Sequence, residues 1–159
     1  LSKTQNSVVK SSAFFHIPLP QFQDALNLIN DQPINYETKY GIPSINVVAG
    51  DGAEELVSAP QTDTGLFEAM MDLGSTQSVS CAHDHVNNFV CECTYNYDGS
   101  DKTITFAYGM HATNRIYYAK DKIGGQVIEV NEDGTITFEN KYTENDYPEV
   151  QLLWKSTNE

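Results

Sequence analysis

The early part of the chain contains two segments whose apolar residues recur at helical spacing. Residues 21–30 (QFQDALNLIN) place four apolar side chains on one face, which predicts an amphipathic helix. Residues 66–73 (LFEAMMDL) follow Asp63 and Thr64, either of which is a suitable cap, and stop at Gly74. This second segment predicts a short helix.

The later part of the chain alternates apolar and polar residues and contains strong turn sequences. Residues 89–97 and 102–108 are predicted to pair as a hairpin across the Asp-Gly-Ser turn at 98–100. Residues 126–130 and 135–142 predict a second hairpin across an Asn-Glu-Asp-Gly turn. Helical patterns early and strands late indicate a mixed α/β (α+β) fold.

Two shorter segments are typical of buried strands, and one long segment has no clear period. Residues 13–17 form an apolar run that stops at Pro18, and residues 78–81 are short and rich in β-forming side chains. Between residues 31 and 59, Pro, Gly, Asn and Tyr interrupt any periodicity. We therefore predict a long irregular connection there, of the kind that often borders a functional site.

The net charge of −13 excludes several classes of partner. Its 22 acidic residues outnumber nine basic ones, so the field of the protein repels phosphate backbones and anionic lipid surfaces. No apolar run approaches the length of a membrane span, and residues 1–12 contain no apolar signal-peptide core. We therefore expect neither nucleic acid nor a membrane among its partners.

The three cysteines, Cys81, Cys91 and Cys93, are an odd number, which argues against a disulfide scaffold. Cys91 and Cys93 lie two residues apart in a predicted strand and would share a face. We interpret them as buried small apolar side chains, with a metal or redox pair as the alternative.

The densest group of chemically active residues is Ala82-His83-Asp84-His85. In an extended backbone His83 and His85 project to the same side, and two imidazoles at a strand end are common ligands of Zn, Fe or Mn. The alternative is a pair of surface histidines in a polar loop. His16 also ends an apolar run, where a hydrogen-bonded core histidine is the alternative to a ligand. If the strand ends gather at one edge of a sheet, these three histidines could meet.

Two further residues are candidates for substrate contacts, and one acidic segment is not. His111 follows a strand end and Arg115 is the only arginine, so these two residues are candidates for contacting an oxyanion. The alternative is that both lie in a surface loop. Residues 50–54 (GDGAE) resemble an acidic metal motif, but no strand is predicted before them, and we interpret them as a solvent loop.

Several sequence blocks stand in the order found in one known family. They are residues 14–20 (FFHIPLP), 63–67 (DTGLF), 82–89 (AHDHVNNF), 107–109 (AYG) and 125–130 (GQVIEV). Over residues 11–140 the chain resembles the C-terminal half of calcineurin-like metallophosphoesterases, in the branch related to purple acid phosphatases. The resemblance implies half of a β-sandwich flanked by helices within residues 1–142, followed by an acidic tail at 143–159.

The resemblance also implies an activity and a site. It implies a phosphatase that hydrolyses phosphate esters through a hydroxide activated by two divalent or trivalent metal ions (Fe, Zn or Mn). The ligands that carry over are His16, His83 and His85, of which His83 and His85 would be catalytic. His111 and Arg115 are candidates for substrate contacts from their position and residue type, not from the resemblance.

The chain departs from the family pattern in ways that qualify these expectations. The upstream D-x-H, GD-x-x-D and GNH ligand blocks are absent, Ala82 replaces a glycine, Asn88 replaces an aspartate, and the loop at 110–115 differs. We therefore expect a fragment that needs its missing N-terminal half or a partner chain, and that is inactive by itself. A catalytically inactive binding or structural module is the alternative function, and an unrelated acidic β-rich domain is a third.

Overall fold

The computed structural model describes residues 8–34, 38–113 and 117–143. They contain seven strands and two α-helices. In chain order they are β1 (Ser11–Phe14), α1 (Pro20–Ile29), β2 (Ser44–Ala53), α2 (Leu66–Leu73), β3 (Thr76–Cys81), β4 (Asn87–Tyr97), β5 (Ser100–Tyr108), β6 (Gly124–Val130) and β7 (Ile136–Tyr142). The mixed α+β fold class is confirmed, with sheet predominating. No helix among these residues is long and apolar enough to cross a membrane.

Five of the strands form one sheet in the order β1-β3-β5-β4-β2. Strands β1, β3 and β5 pair in parallel, whereas β4 runs antiparallel to both β5 and β2. Four strands, β1, β2, β3 and β5, therefore point the same way. Their carboxyl ends reach one end of the sheet, which we call the carboxyl end, and the opposite end is the amino end.

Both helices pack on one face of this sheet. Phe22 of α1 and Phe67 of α2 are fully buried and contact the same β5 side chain, Phe106, with ring centroids 4.7 and 5.9 Å away. Alternation along β4 and β5 sends Cys91 and Ile104 into the same core. A continuous apolar layer thus fixes the helices against the strands whose ends carry the histidines.

The hairpins and helices agree with the sequence predictions within a few residues. In the first hairpin Asp98 and Gly99 both have positive φ, 50° and 77°, which suits a two-residue turn between twisted strands. Strands β6 and β7 form the second hairpin. This hairpin contacts the main sheet through β7 and β2, and the Asn88 amide donates to the Tyr142 hydroxyl over 3.4 Å.

The prediction of an irregular connection from residue 31 to residue 59 is wrong for residues 44–53, which form β2. This strand pairs with β4 through two register irregularities, at Val47/Ala49 and at Gly50/Gly52. A Cβ at Gly50, where φ is 94°, would lie 2.7 Å from the Cα of Phe89. Because bulges and glycines interrupt the two-residue alternation, the strand leaves no periodic signal in the sequence.

All three cysteines are buried free thiols, which agrees with their interpretation as small apolar side chains. Burial raises the pKa of the Cys81 thiol far above its ordinary value, so it stays protonated. The predicted acidic tail lies outside the described residues apart from Thr143, and Arg115 also lies outside them.

Candidate functional site

The carboxyl end of the sheet collects the chemically active residues. His16 lies two residues beyond β1, His83 two beyond β3, and His111 three beyond β5. Glu55 lies two residues beyond β2, and His85 lies in the loop between β3 and β4. The topology therefore brings all four histidines of the chain to one end of the sheet, with a carboxylate beside them.

His16 and His83 form the first histidine pair. Nε2 of His16 lies 3.1 Å from Nδ1 of His83, and the two rings meet edge to face. The amide of Ala82 donates to the carbonyl of His16 over 3.1 Å, which extends the β1–β3 pairing past the strand ends. Two nitrogens that bind one metal ion at about 2.0–2.1 Å stand roughly 3.0–3.4 Å apart. At this separation the two rings share a hydrogen bond, and the same distance fits two ligands of one ion.

The backbone at His83 adopts a conformation that residues other than glycine rarely take. Its φ is 98°, in a region that costs of order 1–3 kcal/mol outside glycine and that clusters at functional sites. Ala82, which replaces a glycine of the family pattern, is therefore not the strained position. Ala82 has an ordinary φ, and its Cβ faces Gly109, where an added Cβ would lie 4.0 Å away.

His85 and His111 form the second histidine pair. Their rings stack with centroids 4.0 Å apart and planes 13° apart, and the Tyr117 ring stacks on His85 at 4.7 Å. His85 Nδ1 donates to the Tyr117 carbonyl over 3.1 Å. Burial, together with the neighbouring His85, lowers the pKa of His111 below its ordinary value. Nε2 of His111 is buried and has no hydrogen-bond partner among the described residues.

The sequence predicted that His16, His83 and His85 could meet. In the structure His16 pairs with His83, whereas His85 pairs with His111. In residues 8–34, 38–113 and 117–143 no group of three or more His, Cys, Asp or Glu side chains is arranged to hold a metal ion. His16 Nε2 and His83 Nδ1 fit as two ligands of one ion. The other ligands of a complete coordination shell would have to come from elsewhere.

Asp84, between the two histidines of the motif, is a buried carboxylate that sequence reasoning missed. Its Oδ2 accepts hydrogen bonds from the Tyr108 hydroxyl over 2.5 Å and from the Ser58 amide over 2.9 Å. The Asp84 amide in turn donates to the Tyr108 hydroxyl over 3.1 Å. Asp84 therefore fastens the histidine loop to the end of β5. The feature of the sequence that could have identified Asp84 is a carboxylate within a polar loop at the end of a strand.

Asn87 and Lys122 fasten the same loop to the end of β2. The Asn87 carbonyl oxygen accepts from the amides of Glu54 and Glu55, at 3.1 and 3.3 Å. The buried Lys122 ammonium lies 3.2 Å from the Glu54 carboxylate and donates to the Val86 carbonyl over 3.2 Å. Residues 54–55 are therefore part of the site's framework, which corrects their interpretation as a solvent loop.

The comparison with known proteins gives one informative match. The chain is 30% identical over 88 residues to a protein of Arabidopsis thaliana named probable inactive purple acid phosphatase 29. The chain is distantly related to a purple acid phosphatase-like protein. The matched segment covers 55% of this chain and 18% of that relative. No protein-family model matches the chain, and no solved structure matches it.

This distant phosphatase relationship agrees with the broad family resemblance, and the chain spans less than a fifth of the relative's length. The chemistry available at the carboxyl end of the sheet is that of imidazole nitrogens held in pairs, with the Glu55 carboxylate beside them. The roles of His16, His83, His85 and His111 remain predictions that the match does not test. Arg115 lies outside the described residues.

Proposed function

We propose that this chain is part of a metal-dependent phosphoesterase that hydrolyses phosphate esters, and that His16, His83 and His85 are its contribution to a two-metal site. The observation that carries the proposal is the 3.1 Å separation of His16 Nε2 and His83 Nδ1 at the ends of adjacent parallel strands. The distant purple acid phosphatase-like relative supports the same class of reaction.

The two histidine pairs would have different tasks. His16 Nε2 and His83 Nδ1 would bind one ion, and His85 would offer Nε2 to a second, because its Nδ1 donates to a carbonyl. Imidazole ligands suit Zn, Fe and Mn. Bound ions would supply Lewis acidity and a hydroxide nucleophile for attack on phosphorus. His111, whose lowered pKa favours the neutral imidazole, and Arg115 would orient the phosphate oxygens.

The charge of the chain favours a role for metal ions in binding an anionic substrate. A net charge of −13 repels a phosphate ester, and at the site the Lys122 ammonium is already paired with Glu54. Cations at the histidines would reverse the local sign of the potential. The remaining ligands would come from outside the described residues or from a partner chain.

The experiment that tests this proposal is His83→Ala in the complete protein. We expect bound metal, measured by elemental analysis, to fall by about half, and phosphatase activity to fall at least 100-fold, since loss of one first-pair ligand releases an ion. His16→Ala should behave in the same way, and the exposed Lys120→Ala serves as the control. Metal and activity both retained in His83→Ala would contradict the ligand assignment.

An inactive binding or structural module is the second candidate function. The relative's name includes the word inactive, and Ala82 and Asn88 depart from the family pattern. The isolated 159-residue chain, supplied with Zn or Mn and an aryl phosphate, is expected to show no turnover under either hypothesis. A complete protein that binds no metal would favour the module.

A further inference from the structure

We propose that Tyr117 is the positioning residue of His85, and that Glu55 anchors Tyr117 in this role. Its importance for metal binding rests on the proposed function, whereas the positioning itself can be tested without metal. No sequence pattern pointed to either residue, because they come from the end of β2 and from the segment before β6.

Tyr117 contacts His85 at three separate points. Its ring stacks on the imidazole with centroids 4.7 Å apart and planes 15° apart. Its carbonyl accepts a hydrogen bond from His85 Nδ1 over 3.1 Å. Its hydroxyl accepts from the His85 amide over 3.4 Å. One residue therefore restrains the plane, the rotation and the backbone of His85 together.

The carbonyl contact selects one tautomer of the imidazole. A carbonyl oxygen only accepts, so Nδ1 must carry the proton, and in neutral His85 the lone pair is then on Nε2. A metal-binding histidine usually donates its other ring nitrogen to a carbonyl or carboxylate in this way, which fixes the ring and raises its basicity. Tyr117 thus prepares Nε2 of His85 as the ligand atom.

Glu55 holds Tyr117 in place. The Tyr117 hydroxyl donates to Glu55 Oε1 over 3.0 Å, and Asn87 fixes the backbone of Glu55 through its amide and carbonyl. The Tyr117 side chain is 53% exposed, so packing alone does not immobilise it. The hydrogen bond to Glu55 supplies the restraint that burial lacks.

The test uses the ¹⁵N-labelled protein and histidine ring NMR spectra recorded at pH 8 without metal. In the wild type we expect His85 to populate the tautomer protonated at Nδ1 almost exclusively. In Tyr117→Leu, which loses ring and hydroxyl, the two ring-nitrogen shifts should move toward each other as both tautomers are populated. Tyr117→Phe keeps the ring and should give a smaller change. Unchanged His85 shifts in both variants would overturn the proposal.

The neighbouring residue and the anchor provide matched controls. Tyr118→Leu should leave the His85 shifts at wild-type values, and an equal change in this variant would also overturn the proposal, since it would mark a general loosening of the segment. Glu55→Gln keeps a hydrogen-bond acceptor and should retain the wild-type shifts, whereas Glu55→Ala should resemble Tyr117→Phe.

Metal affinity in the complete protein distinguishes this proposal from the proposed function. Loss of a partner that orients a ligand typically weakens metal binding by 10–100-fold, and we expect Zn affinity in Tyr117→Leu to fall within that range. If the tautomer shifts while Zn affinity does not, Tyr117 positions His85 but His85 is no ligand, which refutes the His85 assignment of the proposed function and leaves the positioning proposal standing.

Discussion

Both ends of the five-stranded sheet carry a cluster of polar side chains, and the two clusters differ in how fully their members are paired. At the amino end, the Asp72 carboxylate accepts hydrogen bonds from the Lys39 ammonium over 2.8 Å and from the hydroxyls of Tyr40 and Tyr97 over 2.8 and 3.2 Å. The Lys102 ammonium donates to the last turn of α2 and lies 3.8 Å above the Tyr97 ring. Charges of both signs are therefore paired within this cluster.

At the carboxyl end the pairing is incomplete. Nε2 of His111 is buried without a partner among the described residues, and His83 has a φ of 98°. Polar groups that satisfy one another stabilise a fold, whereas buried unpaired groups and a strained backbone are costs that a fold tolerates where it binds something. This difference is the one expected if the amino-end cluster is structural and the carboxyl end binds a ligand.

Among the variants that test this comparison, we expect Asp84→Ala to lower the free energy of unfolding the most. This buried carboxylate supports the histidine loop, and its removal leaves the Tyr108 hydroxyl and the Ser58 amide without their acceptor. We expect a loss of about 3 kcal/mol in the free energy of unfolding, measured by urea denaturation. Asp84→Asn retains an acceptor oxygen and should lose less. An alanine variant as stable as wild type would show that the loop needs no such support.

A smaller effect is expected from Tyr40→Phe at the amino end. The hydroxyl bonds both the Asp72 carboxylate and the Glu68 carbonyl, so its removal should lower the free energy of unfolding by about 1 kcal/mol. Histidine ring shifts at the carboxyl end should stay at wild-type values. Altered histidine shifts would contradict the separation of the two clusters.

The smallest effect is a pH dependence that belongs to Asp72. The hydrogen bond from Lys39 is the main cause that lowers the pKa of Asp72 below its ordinary value of 3.8. A carboxyl group with a lowered folded pKa contributes stability above its unfolded pKa, and this is lost as the pH falls through the folded pKa. The stability difference between wild type and Asp72→Asn should thus be constant near neutral pH and shrink below about pH 4. A stability difference that does not change with pH would show that the Lys39–Asp72 ion pair does not stabilise the fold.

Local signals account for much of the fold. The helix at Leu66–Leu73 is predicted to the residue, because its apolar spacing and its terminal Gly74 are contiguous in the sequence. Both hairpins are predicted from alternation around turns that need positive φ, such as Asp98-Gly99. Strand β2 was not predicted, because its bulges and Gly50 remove the alternation that identifies a strand.

The sequence by itself determined the class of fold, the buried cysteines and the residue types suited to metal chemistry, because these follow from spacing within short segments. Only the tertiary structure decided which histidines meet. Parallel pairing of β1 with β3 joins His16 to His83 across 67 residues, and the loop after β5 brings His111 against His85. The supporting contacts of Asp84 and Tyr117 also depend on strand order. Such long-range pairing leaves no periodic trace in the chain, since it is fixed by burial of the common core.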